Sequence, residues 1–185
     1  MIKKNRILIS HPTGNNFVRA LLQGCEKQNL LAKFFTTIGK GENSDFFMKS
    51  ILDSRIYPIP DEKINNQWFP EIWRLLLGPY KTQSDRKNDT DKIYEILDRK
   101  VSQNLHTLKP SSIHGYEDSA AHTFRRAKEL GIHCSYELPI AHWATSRRLL
   151  AEEAERYPEW IPTLDSINEN EEKLQRKDQE LELAD

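Results

Sequence analysis

The run Arg6-Ile7-Leu8-Ile9-Ser10 stays apolar for only three residues before a small, polar turn intervenes, and a helical pattern follows with Phe17, Val18, Leu21, Leu22 and Cys25 on one side. Strand, tight loop and amphipathic helix in that order make the first unit of a parallel sheet, because a helix must carry the chain back before the next strand can run the same way. A second strand is expected over residues 32–38, ending where Gly39-Lys40-Gly41 releases the chain into a turn. A right-handed crossover sets these two strands side by side.

The rhythm returns in the second half. Ser112-Ile113-His114-Gly115-Tyr116 leads into a loop, Glu117-Asp118-Ser119-Ala120 opens a helix, and that helix runs on to Gly131. Acids at its start and glycine at its end suit the helix dipole and the left-handed cap, and Asp118 reads as a capping residue or a loop contact. Ile132-His133-Cys134-Ser135-Tyr136 is the next strand, and helices are expected over 142–157 and from 165 to the terminus, divided by Pro158 and Pro162. In the last helix Ile167, Leu174 and Leu181 recur at equal spacing, too short a series for a coiled coil, so a charged helix leaning on the sheet by Leu174, Leu181 and Ala184 is expected.

The middle of the chain reads less regularly. It gives a short helix over 45–52, an extended connection or edge strand over 55–60, a helix over 71–77 stopped by Gly78-Pro79, a polar loop over 81–91 and a helix over 91–105 through Ile93, Ile96, Leu97 and Val101. Trp68, Phe69 and Trp73 read as core filling or the cover of a sheet edge, with a substrate platform as the alternative. The expected fold class is α/β: a three-layer Rossmann-like domain with a mostly parallel sheet.

A chain of 185 residues fits one domain. Its formal net charge of -1 gives no overall pull toward polyanions, so nucleic acid is not an expected partner. No apolar run reaches the length of a signal-peptide core or a membrane span. A cytoplasmic setting is therefore expected, with peripheral membrane contact left open and Cys25 and Cys134 reduced and buried. Neither G-x-G-x-x-G, nor a phosphate-binding G-x-x-x-x-G-K-[ST] loop, nor a G-x-S-x-G elbow occurs, and no spacing suggests a metal site or a stably bound cofactor.

In an open parallel sheet ligands gather at the carboxyl ends of the strands. Three segments belong at that edge. In the first, Thr13-Gly14-Asn15, Gly14 can take a positive φ or admit a ligand to the backbone, while Asn15 or Asn16 caps the helix. In the second, His114 with Glu117 and Asp118 could serve as a base or as hydrogen-bonding partners of an acceptor hydroxyl. In the third, the Glu137 carboxylate could orient a sugar hydroxyl or pin the next helix, and His142 and Trp143 form a polar-aromatic pair of which the indole could stack on a sugar face.

These segments, Ile7-Leu8-Ile9-Ser10-His11-Pro12-Thr13-Gly14-Asn15, His114-Gly115-Tyr116-Glu117-Asp118-Ser119-Ala120 and Cys134-Ser135-Tyr136-Glu137-Leu138-Pro139-Ile140-Ala141-His142-Trp143, resemble the N-terminal domain of bacterial family 4 glycosyltransferases. So do the stretches 147–160 and 177–185, which extend the likeness over nearly the whole chain. The resemblance implies the N-terminal half of a GT-B fold, which binds mainly the acceptor, here a sugar or glycan, while a C-terminal domain or its split counterpart binds the nucleotide-sugar donor. It implies retention at the anomeric carbon without an essential metal. His114 matches the histidine that contacts the transferred sugar, and Thr13-Gly14-Asn15 matches a glycine-rich loop beside acceptor and donor phosphate, with one glycine where the family has two. By the same resemblance the chain is expected to stop before the donor-binding domain and to be inactive alone. A non-enzymatic flavodoxin-like or Rossmann-like ligand-binding or interaction domain is the competing expectation.

Overall fold

The computed structural model describes residues 6–42, 55–164 and 169–185. The helix expected over 45–52 and the seven-residue series at Ile167 fall outside them. β1 (Ile7–Ser10), α1 (Asn16–Lys27) and β2 (Leu31–Thr36) form the opening unit. The Asn15 side chain starts α1 by accepting the Val18 amide, and Val18, Leu22 and Cys25, spaced at four and three residues, form the face it buries.

Next come the two-residue strands β3 (Lys40–Gly41) and β4 (Ile56–Tyr57), then β5 (Ile64–Asn66), α2 (Trp68–Leu77) and the long α3 (Gln83–Leu108). β6 (Ser112–Tyr116), α4 (Ala121–Glu129), β7 (His133–Glu137), α5 (Trp143–Arg156) and α6 (Glu171–Leu183) complete the order. Five strands build one parallel sheet in the order β5-β2-β1-β6-β7, while β3 and β4 pair separately.

Alternation along the strands assigns the core to two faces. Leu8, Phe35, Ile113 and Cys134 pack with Leu97, Val101 and Leu105 of α3 and with Phe124 and Ala127 of α4. Ile9 and Phe34 join Val18, Leu22 and Cys25 of α1, together with Tyr57 and Ile59. This is the expected three-layer Rossmann-like arrangement. Each fully buried Leu, Ile or Phe contributes roughly 1.5–3 kcal/mol by leaving water. Both cysteines are free and buried, and burial pushes the Cys134 thiol up to about 11.

Several expectations change. Gly39-Lys40-Gly41 is not only a turn, since Lys40 and Gly41 pair with β4 and the Gly41 amide donates to Asp61 Oδ1 at 2.6 Å. The expected polar loop over 81–91 is largely helix. Thr82 caps α3 by accepting the Asp85 amide at 3.2 Å, and residues 83–88 are exposed, so the turn needs a cap and helix-compatible residues but no apolar stripe. Leu174 is buried as expected, whereas Leu181 is 44% exposed and the buried companions on α6 are Lys177 and Glu180. Trp68, Phe69 and Trp73 are exposed and fill no core.

The most informative departure is the start of α4. Glu117 and Asp118 precede the helix without capping it, and the N-cap residue, Ala120, has no side chain to do so. The cap comes from α3 instead: Asp98 accepts the amides of His122 at 2.7 Å and Thr123 at 2.8 Å, and its own carbonyl accepts the Thr123 hydroxyl at 3.0 Å. Asp98 is buried, and burial raises its pKa against the opposing pull of these hydrogen bonds. Replacing Asp98 with Ala strands two helix-end amides in a dry environment, so urea denaturation should show a loss of about 2 kcal/mol. An unchanged midpoint would contradict the assignment of this cap.

Candidate functional site

The chain leaves β1 toward β2 and β5 on one side, and β6 leads to β7 on the other. The carboxyl ends of β1 and β6 therefore form the topological switch point, the place where ligands bind in open parallel sheets. All three expected segments reach this edge. The Glu117 amide donates to the Glu137 carbonyl at 3.2 Å, and the His11 ring lies 4.0 Å from that of Tyr116.

The period of two along β6 and β7 then divides the edge between two faces. On the α1 side stand His11, His114, Tyr116, Ser135 and Glu137. His114 Nδ1 lies 3.1 Å from Ser135 Oγ, and its Nε2 lies 3.2 Å from Glu137 Oε2. Both side chains are part-exposed, at 21% and 19%. One carboxylate oxygen is thus held in place and the other, Oε1, has no hydrogen-bond partner among the described residues. A carboxylate so presented can accept from a ligand hydroxyl, and the imidazole can exchange a proton with it.

His11 adds a fixed polar group. Its Nδ1 accepts the amides of Gly14 at 2.7 Å and Thr13 at 3.2 Å, which places the ring proton on Nε2. Burial, then the neighbouring His114 and Arg55, depress its pKa to about 3, so the ring is neutral at physiological pH. Nε2 is buried and has no hydrogen-bond partner among the described residues.

The first loop is committed to the fold. Its Thr13 carbonyl accepts from the Arg55 guanidinium and from Tyr57 Oη, each at 2.9 Å. Gly14 has φ +65°, and a Cβ there would lie 2.3 Å from Tyr57 Oη, so the close approach that demands glycine is to Tyr57. The Thr13 and Gly14 amides that an oxyanion would use already donate to His11, and Asn15 is spent on the α1 cap.

On the opposite face the acids meet α6. Lys177 Nζ lies 3.1 Å from Glu117, 3.0 Å from Glu169 and 3.9 Å from Asp118. Lys173 Nζ lies 3.1 Å from Asp91 and from Glu169, and 3.4 Å from Asp118. Burial alone would lower both lysine pKa values, yet Asp118 and the other acids raise them, so both stay charged. Glu180 completes the contact: its carboxyl accepts the Asp118 and Ala120 amides and the Tyr136 hydroxyl, each at 2.9 Å. Asp118 itself holds φ +69°, a strained setting for a non-glycine residue that these bonds maintain. Farther along the edge, His142 Nε2 and Trp143 Nε1 both bond Asp178 of α6, at 2.9 and 2.6 Å.

Of the expected residues, the structure therefore joins His114 with Glu137, and places Glu117 and Asp118 in a separate ion cluster with α6. Sequence reading passed over His11, Ser135, Lys173, Lys177 and Glu180. A usable signal was the charge at Lys177, the third position after Leu174, where an apolar stripe would continue; nothing in the spacing marks Glu180. A hollow of about 820 Å³ is lined by polar residues including Arg86, Asp91, Glu169 and Lys173, and none of the three strand-end loops lines it. Among the described residues no group of His, Cys, Asp or Glu is arranged to hold a metal ion, and no helix is long and apolar enough to cross a membrane.

The fold and site define a Rossmann-like α/β domain with polar side chains gathered at the carboxyl edge of its switch point. No protein-family model matches the chain, and no curated protein or solved structure matches it.

Burial pushes Glu180 up to about 7, its hydrogen bonds pull the other way, and the nearby Asp118 adds to the rise. The folded state then holds this proton more tightly than the unfolded state, whose carboxyl titrates at about 4.3, so the stabilising effect is complete below that pH and is lost as pH rises through 7. His11 acts with the opposite sign, because a depressed folded pKa means stability is lost as pH falls from 6.5 toward 3. A comparison with Glu180→Gln separates them: the stability of wild type relative to the variant should drop between pH 5 and pH 8 by up to about 3 kcal/mol. A pH-independent difference would contradict the buried, proton-retaining carboxyl.

Proposed function

We propose that this domain is the acceptor-side half of a glycosyltransferase that moves a sugar from a nucleotide-sugar to an acceptor hydroxyl. The observation that carries the reading is the His114–Glu137 pair: a carboxylate held by one oxygen, part-exposed on adjoining strand ends beside the switch point. A sugar hydroxyl is a donor that such a carboxylate can take, and His114 is placed to share its proton. In this reading Glu137 orients the acceptor hydroxyl and His114 contacts the reacting sugar. Thr13, Gly14 and Asn15 shape the wall beside it, while Glu117 and Asp118 set the rim from behind through α6. His142 and Trp143, pinned on Asp178, bound the acceptor side. The donor nucleotide belongs to a second Rossmann-like domain, in the same polypeptide or a separate one, and this domain alone turns nothing over. A cytoplasmic setting, in which Cys25 and Cys134 stay reduced, is part of the proposal.

A second reading, a ligand-binding or interaction domain without catalysis, draws on a different observation. The Thr13 and Gly14 amides and the Glu117 and Asp118 carboxylates are engaged internally, which leaves few polar groups for chemistry.

Saturation-transfer NMR on the full chain with a panel of glycans separates the two. Glycan binding should be present and should weaken about tenfold or more in His114→Ala and Glu137→Gln, a loss of about 1.4 kcal/mol, with circular dichroism unchanged. Binding of a mononucleotide or flavin at the switch point, with no glycan binding, would contradict the acceptor-side reading.

A further inference from the structure

Parallel register sets His11, Tyr116 and Glu137 in one row at the strand ends. Ile9 pairs with His114 across β1 and β6, so two residues farther on His11 stands beside Tyr116, and their ring centroids lie 4.0 Å apart. Tyr116 in turn pairs with Glu137 of β7. Neighbouring strands lie about 4.8 Å apart, so the row runs about 10 Å from His11 to Glu137 along the carboxyl edge of the switch point.

The two ends of the row carry complementary unused groups. His11 is 2% exposed, and because its Nδ1 accepts the Gly14 and Thr13 amides, its proton stands on Nε2, which has no hydrogen-bond partner among the described residues. A buried donor without an acceptor is uncommon, since it has lost its water partners and gained none. Glu137 is engaged by His114 through Oε2 and offers Oε1. The row thus ends in one N–H donor and one carboxylate acceptor. Between them Tyr116 is part-exposed, with its ring tilted at 44° against His11. Its hydroxyl has no hydrogen-bond partner among the described residues, so this side chain can turn aside without breaking a hydrogen bond.

The surroundings select an uncharged ligand. An oxyanion needs converging donors or cations, yet the Thr13 and Gly14 amides are spent on His11, and the Arg55 guanidinium bonds the Thr13 carbonyl and lies 3.6 Å from Glu71. The Glu137 carboxylate repels a second anion. A sugar ring presents what the row lacks, because each hydroxyl can accept from an N–H or donate to a carboxylate.

We propose that His11 is a sugar-contacting residue of this site: with Tyr116 turned aside, its Nε2–H donates to one hydroxyl oxygen of an uncharged pyranose while Glu137 Oε1 accepts from another hydroxyl of the same ring. The inference rests on the acceptor-side reading and deepens it, by giving the β1 end of the site to a neutral sugar rather than to a phosphate.

The test is NMR of the full chain with isotope-labelled histidine rings, titrated with a panel of methyl pyranosides and, separately, with inorganic phosphate, and repeated in His11→Asn. Asparagine can set its amide oxygen where Nδ1 stands and so hold the Thr13 and Gly14 amides, but it offers nothing in place of Nε2. A methyl pyranoside should move the His11 Nε2–H signal downfield, with the proton remaining on Nε2, and should weaken the Overhauser contact between the His11 and Tyr116 rings, whereas phosphate should change neither. His11→Asn should keep slow exchange of the Thr13 and Gly14 amides and lose about tenfold in pyranoside affinity, the size of one hydrogen bond inside a site. Pyranoside binding that His114→Ala weakens, but that leaves the His11 ring signals and the His11→Asn affinity unchanged, would overturn this inference alone and leave the acceptor-side reading standing. A response of Nε2–H to phosphate and to no pyranoside would also overturn it, and a panel in which no pyranoside binds would overturn both.

Discussion

One buried carboxyl holds the second half of the molecule together. Glu180 reaches from α6 to the turn after β6 and takes the amides of Asp118 and Ala120 together with the Tyr136 hydroxyl. Those amides belong to a turn that carries a positive φ and leads into a helix whose N-cap residue, Ala120, has no side-chain acceptor. Without an outside acceptor they would be buried donors with no partner, and the turn would lose the bonds that hold its strained residue. Asp98 meets the same need one step later, from α3. The start of α4 is thus capped twice from elements distant in sequence, which ties α3, α4 and α6 to the sheet at one point.

That clamp determines which parts of the carboxyl edge remain available. On its face of the sheet, Lys173 and Lys177 pair with Glu117, Asp118, Asp91 and Glu169, and α6 covers the edge. Ion pairs out of water gain little net stability, because desolvation offsets attraction, but one left unpaired is costly, so the cluster enforces a single position for α6. On the other face, among the described residues, His114 meets Ser135 through one ring nitrogen and Glu137 through the other, and no ion pair from a helix reaches this pair. Strand alternation thus separates a structural polar cluster from an accessible one in consecutive residues, with Tyr136 on Glu180 and its neighbours Ser135 and Glu137 on His114.

How much of this the sequence disclosed follows from how local each interaction is. The opening strand, loop and helix were legible because the apolar spacing changes within a few residues from a run to a helical stripe, and Leu8, Val18, Leu22 and Cys25 are buried accordingly, although Phe17, expected on the same side, is 81% exposed in the first turn of α1. The juxtaposition of the loops after β1, β6 and β7 followed from the parallel order. The start of α3 was hidden because solvent-exposed polar residues support helix and loop alike, and only Thr82 marks the boundary. The roles of Glu117 and Asp118 were misjudged because helix capping was sought among neighbours, while the acceptors, Asp98 and Glu180, lie 24 and 60 residues away. α2 defied the ordinary rule that large apolar residues go inside, since its aromatic side faces out and its charge faces in.

Hydrogen exchange of individual backbone amides tests the clamp most directly. In the intact chain the amides of Asp118 and Ala120 should exchange as slowly as those of β6, through global opening only, although they sit in a turn. In Glu180→Ala they should speed up by at least a hundredfold relative to the amides of β1, about 2.7 kcal/mol of local protection. Loop-like exchange of both amides in the intact protein would contradict the account.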